Sequence, residues 1–262
     1  MLHKAKPKVS AFIALGFFST VTVFNLGHDA MHGSASTNPK VNKWLGYSWN
    51  LVGISSYVWK LIHNYGHHSL TNVPGKDLNV GQTPIIRLNP TMKRGFMHQF
   101  QHIYAPFLLS LLTIDLVLIK DFKMLSMKHF GNKRMKHSRS QILRIYLLKI
   151  FYLLYALVLP MIFIEASWEI ILLAFLCKHL LAGLFVAVVL LPTHMHPHTY
   201  FPEPDENGVI ERSWFEHQLE VTIDFSVNTP IVFWLTGGIN YHVAHHLYPH
   251  VCHIHYPALK HI

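Results

Sequence analysis

Charge is scarce in this sequence. Asp, Glu, Lys and Arg together make up 13% of the 262 residues, where soluble domains carry ~25%. With 51% hydrophobic residues and a mean hydropathy of +0.26, that shortage excludes an ordinary water-soluble domain and points to a membrane. Cysteine is scarcer still: Cys177 and Cys252 are the only two, so no disulfide framework holds the chain. Cys177 sits in an apolar run and reads as a small core or lipid-facing residue, whereas Cys252 stands among histidines. Acidic residues are the minority, 13 against 22 Lys and Arg, for a net charge of +9. A basic balance in an apolar chain suits an anionic membrane surface or an acidic partner. No nucleic-acid-binding motif accompanies it, and nucleic acid is excluded as a partner. Repeats, low-complexity tracts and flexible linkers are also missing.

The apolar residues fall into runs. Residues 9–27, "VSAFIALGFFSTVTVFNLG", are long enough for a crossing of ~20 residues. No small-x-small cleavage site follows, so this is a membrane helix and not a signal peptide. Residues 44–59 are shorter, broken by Gly46 and Gly53 and rich in aromatics, which suits an interfacial or re-entrant helix. Residues 103–119, with Pro106 and Asp115, are marginal as a span. Residues 142–164 and 168–192 are full spans separated only by "EAS", a tight helical hairpin. Lys120, Lys123, Lys128, Lys133, Arg134, Lys136, Arg139 and Arg144 precede it. The positive-inside rule makes that stretch cytoplasmic, so the hairpin leaves at Ile164 and returns near Pro192. Everything from His194 onward is then cytoplasmic, and the fold is all-α.

What the sequence has in excess is histidine, 22 in all, as many as Lys and Arg together. Three clusters stand out: "HDAMH" with His28 and His32, "HNYGHH" with His63, His67 and His68, and "HVAHH" with His242, His245 and His246. In each, the outer pair is four apart and shares one face of an α-helix. Imidazole is the commonest metal donor and suits iron. Eight imidazoles exceed the roughly four to six ligands of one ion, so two ions are expected. The HExxH pattern is absent, because Asp29 and Asn64 follow the leading histidines. The carboxylate-rich ExxH bundle is absent too. An imidazole-rich pair beside hydrocarbon points to a redox metal, iron first, that activates dioxygen.

A ninth ligand is expected from "LPTHMHPH", where His194 lies nearer the membrane end than His196. Metal-bound imidazoles pass their other N–H to a carboxylate or carbonyl. Asp29, Asp77 and Asp224 are candidate acceptors, Asn72 and Asn240 candidate orienting groups, and His217 a supporting one. Asp77 reads equally as a turn residue after Pro74-Gly75, and His217 as a hydrogen-bonded surface histidine. Gly237-Gly238 allows a sharp turn before the last cluster. His250, His253 and His255 flank or follow the helix-ending Pro249 zone, outside the ligand geometry.

These boxes, in this order, resemble the integral-membrane fatty acid desaturases. The resemblance is carried by "HDAMHG", "HNYGHHSLTNVPGKD", "FQHIYAPF", "FPEPDENGVIERSWFEHQLEVTIDF" and "GGINYHVAHHLYPHVCHIHYPAL". It implies iron ligation by His28, His32, His63, His67, His68, His242, His245 and His246, with His194 the ninth. It implies a membrane helical stem under a cytoplasmic helical cap that carries a diiron site. The reaction implied inserts a double bond into an acyl chain, linked to CoA, a carrier protein or a phospholipid, and consumes dioxygen and two electrons. No HPGG haem motif occurs, so the likeness is to bacterial-type members without a fused cytochrome b5, with electrons from a separate carrier such as ferredoxin or cytochrome b5. The setting implied is the bacterial inner membrane or the endoplasmic reticulum, with the metal site cytoplasmic. Trp59, Tyr65, Trp214 and Trp234 are candidate liners of the acyl channel.

Some features depart from the family pattern. His242 stands where front-end members often carry Gln, and "LPTHMHPH" has histidines where many relatives have glutamates. Only one apolar run precedes His28, where relatives usually have a pair. The expectation is one desaturase domain over 1–262, either short of a first membrane helix and of part of the C-terminus or inserted in the membrane in an unusual way. Hydroxylases and ketolases acting on acyl chains, alkanes or carotenoids share similar boxes and are the alternative. A non-enzymatic metal transporter would need polar residues along the spans, which offer only Lys149, Lys178, His179 and a few hydroxyls.

Overall fold

The computed structural model describes residues 2–79, 84–130 and 133–260. Ten helices among them build and position the histidine site. The first, α1 (Lys8–His32), is long and apolar enough to cross a membrane. It opens into a π-helical turn at Val23–Gly27, just before its last turn, His28–His32. A short α2 (Pro39–Gly46) comes next, capped by the Asn38 side chain, which accepts from Lys40 N at 2.9 Å. Helix α3 covers 56–70 and holds a second π turn, Leu61–His67. Helices α4 (Phe96–Ser110) and α5 (Leu112–Ser126) meet at a 45° bend. A two-residue ladder pairs His129–Phe130 with Lys133–Arg134. The hairpin is α6 (Arg139–Phe163) and α7 (Trp168–His194), both of crossing length. The chain then supplies α8 (Trp214–Val221), α9 (Pro230–Thr236) and α10 (His242–Leu247).

Local chemistry explains several boundaries. Helix α6 starts at Arg139 because Ser138 and Gln141 form a reciprocal capping box, Ser138 N donating to Gln141 Oε1 at 2.7 Å and Gln141 N to Ser138 Oγ at 3.2 Å. Ser213 and Glu216 do the same for α8. Helix α7 runs past Pro192 to His194, two residues beyond the apolar run, and so carries that imidazole on the end of a membrane helix. The 44–59 stretch is not one helix. It breaks into the end of α2, a turn of helix at Ser48–Leu51 and the start of α3. Between them Gly53 takes φ +83 and lies against the Tyr152 ring, where a Cβ would sit 2.7 Å from the ring carbons. The 103–119 stretch likewise belongs to the bent α4–α5 pair and not to one straight span.

Helices α1 and α7 pack side by side and run the same way. Phe12 packs against Ile171 and Ala174, and Phe24 against Val189. Lys8 bonds the Glu165 carbonyl at the end opposite the histidines. Helix α6 returns antiparallel, with Tyr152 and Ala156 in one cluster with Phe175. Its outer face exposes Leu143, Leu147, Ile150, Phe151 and Leu154, a stripe that water would penalise and lipid accepts. The result is all-helical apart from the small ladder: an apolar stem of three long helices and a bent pair, with the short helices gathered where α1 and α7 end.

Candidate metal centre

The stem delivers His28 and His32 on α1 and His194 on α7. Helix α3 brings His63, His67 and His68, and α10 brings His242, His245 and His246. All nine are buried. They sort into two groups whose ligand atoms lie within 4.8 Å of one another: His28, His32, His63 and His245, and His67, His194, His242 and His246. His68 joins His245 and His246 between them.

The sorting does not follow the boxes. Four-residue spacing on an α-helix puts His63 and His67 on one face, but the π turn at Leu61–His67 widens the helix there. His63 Nε2 instead lies 3.2 Å from His68 Nε2, five residues on, and 3.3 Å from His28 Nε2. His67 Nε2 goes to the other group, 3.0 Å from His194 Nε2. The last box splits as well, with His242 and His246 in one group and His245 in the other.

In four of the nine rings the far side fixes the proton. His67 Nδ1 donates to Asp77 Oδ2 at 2.9 Å. His194 Nδ1 donates to the Val221 carbonyl at 3.1 Å, His242 Nδ1 to the Ile239 carbonyl at 3.1 Å, and His246 Nδ1 to Gln218 Oε1 at 2.8 Å. These oxygens only accept, so Nδ1 carries the hydrogen and the neutral ring presents a bare Nε2 lone pair. Burial, and then the neighbouring imidazoles, hold His63, His68, His242, His245 and His246 well below the usual imidazole value of 6.5, which favours the neutral form. His194 Nε2 and His242 Nε2 nevertheless lie 2.7 Å apart. Among the described residues, Nε2 of His32, His245 and His246 is buried with no hydrogen-bond partner. Converging lone pairs in a dry site repel unless a cation sits among them. The donor set fits a metal site.

Of the candidate supports, Asp77 takes the central place. Burial alone raises a carboxyl, but the His67 imidazole and the Asn72 N–H at 2.9 Å bring Asp77 down to about 2. Asn72, at φ +57, ties carbonyls together: its Nδ2 donates to His194 O at 3.0 Å and Tyr200 O at 3.2 Å. His217 Nε2 donates to Thr71 O at 2.9 Å, a backbone carbonyl and not a box ring. Asp224 accepts from Val243 N at 2.8 Å at the start of α10. Asn240 bonds Thr236 and Ser226. Asp29 takes His253 Nδ1 at 2.8 Å and Cys252 Sγ at 3.0 Å, and not a box imidazole. That pairing gives His253 a buried place against α1, while His250 Nδ1 donates to His32 O at 2.9 Å.

Sequence reasoning missed Gln218. Its Oε1 serves His246 and Thr71, and its Nε2 donates to His68 O at 3.3 Å. A Gln four residues after Trp214 and three before Val221, in line with the apolar residues of an eight-residue helix, was the available signal. Gly237 and Gly238, at φ +60 and +72, let the turn before α10 press on Phe24 and His253, where a Cβ would come within 2.5 and 2.7 Å.

A cavity of about 760 Å³ runs down from this centre between the stem helices. His28, His63, His67, His194 and His242 line one end, and Phe24, Leu108, Leu112, Leu116, Val186 and Leu190 line its length. Trp59 lines it and stacks on His63 at 4.2 Å between ring centres. Tyr65, Trp214 and Trp234 do not line it; Tyr65 and Trp234 are more than half exposed.

Residues 7–262 match the family model described as fatty acid desaturase. The chain is 33% identical over 258 residues to the sn-1 linoleoyl-lipid 6-desaturase of Synechocystis sp., covering 95% of this chain and 69% of that protein. It is 31% identical to the enzyme of the same name from Arthrospira platensis, over 96% of this chain and 68% of the relative. It is 33% identical to the acyl-lipid (8-3)-desaturase of Physcomitrium patens, over 96% and 53%.

Proposed function

We propose that this chain, which belongs to the fatty acid desaturase family, introduces a double bond into a lipid-linked acyl chain at a pair of iron ions held by its nine clustered histidines. It is a membrane oxidoreductase acting on acyl lipids. In the proposed site, His28, His32, His63 and His245 hold one ion and His67, His194, His242 and His246 the other, with His68 between. Iron bound there supplies the redox chemistry that activates dioxygen with two electrons. Everything else is the work of the chain.

Asp77, Gln218 and the Val221 and Ile239 carbonyls hold four rings in the tautomer that ligates. The apolar walls of the cavity hold an acyl chain against the centre and keep water from it. Unactivated C–H bonds differ little, so position selects the carbon. The relatives' names, which specify acyl lipids, support a lipid-linked substrate over an acyl-CoA. Electrons come from a separate carrier such as ferredoxin or cytochrome b5. The basic stretch from Lys120 to Arg144 supports a cytoplasmic face for the histidine end.

The observation that carries this reading is the convergence of nine buried imidazoles at the mouth of a long apolar cavity, with the Nε2 atoms of His67, His194, His242 and His246 left bare by their Nδ1 hydrogen bonds. Expression in a host lacking polyunsaturated lipids, followed by mass spectrometry of the acyl chains, tests it. A new chain lighter by two hydrogens supports desaturation, and one heavier by an oxygen assigns a hydroxylase instead.

A further inference from the structure

The cavity has a floor, and the floor is polar. On α7 its lining starts at Lys178 and His179, and on α1 at Gly16. These surfaces meet: a Cβ on Gly16 would lie 2.7 Å from Lys178 Cγ. Tyr152 and Thr113 complete the end, and Phe175, outside the lining, packs beneath on His179 at 4.6 Å between ring centres.

The hydrogens of this cluster are fixed by one bond. Thr113 Oγ1 donates its single hydrogen to His179 O at 2.8 Å. It must therefore accept from His179 Nδ1 at 3.1 Å. His179 Nε2 is then bare and accepts from the Tyr152 hydroxyl at 2.7 Å. The Tyr152 oxygen in turn accepts from Lys178 Nζ at 3.2 Å. The chain of donors thus begins at Lys178, whose amino group keeps N–H groups to spare. No carboxylate among the described residues forms an ion pair with it, whereas Lys149 nearby is paired with Asp121 at 2.6 Å. Lys178 is only 7% exposed.

A buried amine with unused donors holds water or another oxygen, and an apolar chain end that displaced it would strand those donors. Depth follows from helix rise: Gly16 lies 12 residues from His28 and Lys178 lies 16 from His194, or roughly 18–24 Å at ~1.5 Å per residue. At about 1.3 Å per carbon of an extended chain, set by C–C bonds of ~1.5 Å, that holds roughly 14–18 carbons.

We propose that Lys178, held by Tyr152 and His179, sets the substrate's length: it stops an apolar chain end at this depth and admits a chain that reaches it only when the end carries an oxygen. This rests on the cavity's being the acyl slot. The test is competition binding of acyl lipids of graded length to the full-length protein in nanodiscs, with desaturation scored in the same samples. In the wild type, affinity stops rising at a cut-off length, and a terminal hydroxyl improves binding of chains that reach it. In Lys178→Met, chains two carbons past the cut-off gain about tenfold, as two further buried methylenes should, and the hydroxyl advantage disappears. Equal wild-type affinity for methyl-ended and hydroxyl-ended chains at every length overturns the proposal and needs no variant. An unchanged cut-off in a folded Lys178→Met protein overturns it too. Length-dependent binding without any double bond formed would refute the desaturase reading and leave the floor standing.

Discussion

The Nε2 atoms of His194 and His242 lie 2.7 Å apart, and each ring has already given its one hydrogen to a backbone carbonyl on the other side. This contact arises only because α7 runs on to His194 and the Gly237-Gly238 turn swings α10 beneath it. A metal held by both rings would turn a repulsive contact into a ligand set, and the proposed site therefore ties the fold's stability to its metal. Chelation is expected to lower the thermal midpoint of the protein by several degrees or more, with recovery on adding ferrous ion, read by intrinsic fluorescence. A midpoint indifferent to chelator would contradict it.

Removing the proton acceptors should loosen the metal without removing a ligand. Asp77→Asn and Gln218→Leu are each expected to weaken iron retention by about 10–100-fold. His217→Ala, whose ring donates to the Thr71 carbonyl, should do far less. Iron retained after graded dialysis against chelator separates the three.

Acid should act on the metal-free protein with a definite sign. Above pH 6.5 the imidazoles are neutral whether the chain is folded or not, and pH has no leverage. Below it, the unfolded chain takes up protons that His63, His68, His242, His245 and His246 refuse while buried, their values lying well below 6.5. Stability is therefore lost as pH falls from about 6.5 towards 5. Thermal scans across that range check it, and a midpoint that rises on acidification would be the wrong sign.

The end of the chain separates ligand from support. His245→Ala is expected to abolish activity and lower iron content, while His255→Ala, an exposed position, leaves both unchanged. Gly238→Ala combines φ +72 with a 2.7 Å approach to His253, and should cost about 1–3 kcal/mol or more, measured as a lower thermal midpoint at equal iron content.

Much of this site was legible in the sequence because histidine is rarely filler in an apolar chain. The boxes could be read by spacing, and His194 by its place at the end of an apolar span. The division of labour within the boxes could not. It depends on the π turn at Leu61–His67, which sends His63 and His67 to different groups, and hydrophobic periodicity does not register one extra residue per turn. The Val221 and Ile239 carbonyls were illegible for another reason: every residue has a carbonyl, and only tertiary packing chooses two. Asp29 was readable as an acceptor, but its partners, His253 and Cys252, lie 224 and 223 residues away. The break at Gly53 was readable from the glycine itself, but not its partner, the Tyr152 ring, which belongs to α6.

The most direct test of the central claim is the metal content of detergent-purified protein that is active on acyl lipid, measured by elemental analysis alongside its His194→Ala variant. The account predicts about two iron ions per active chain, with a clear loss of iron and of activity in the variant. Full activity from protein carrying zinc alone, or a variant that keeps both iron and activity, would contradict it.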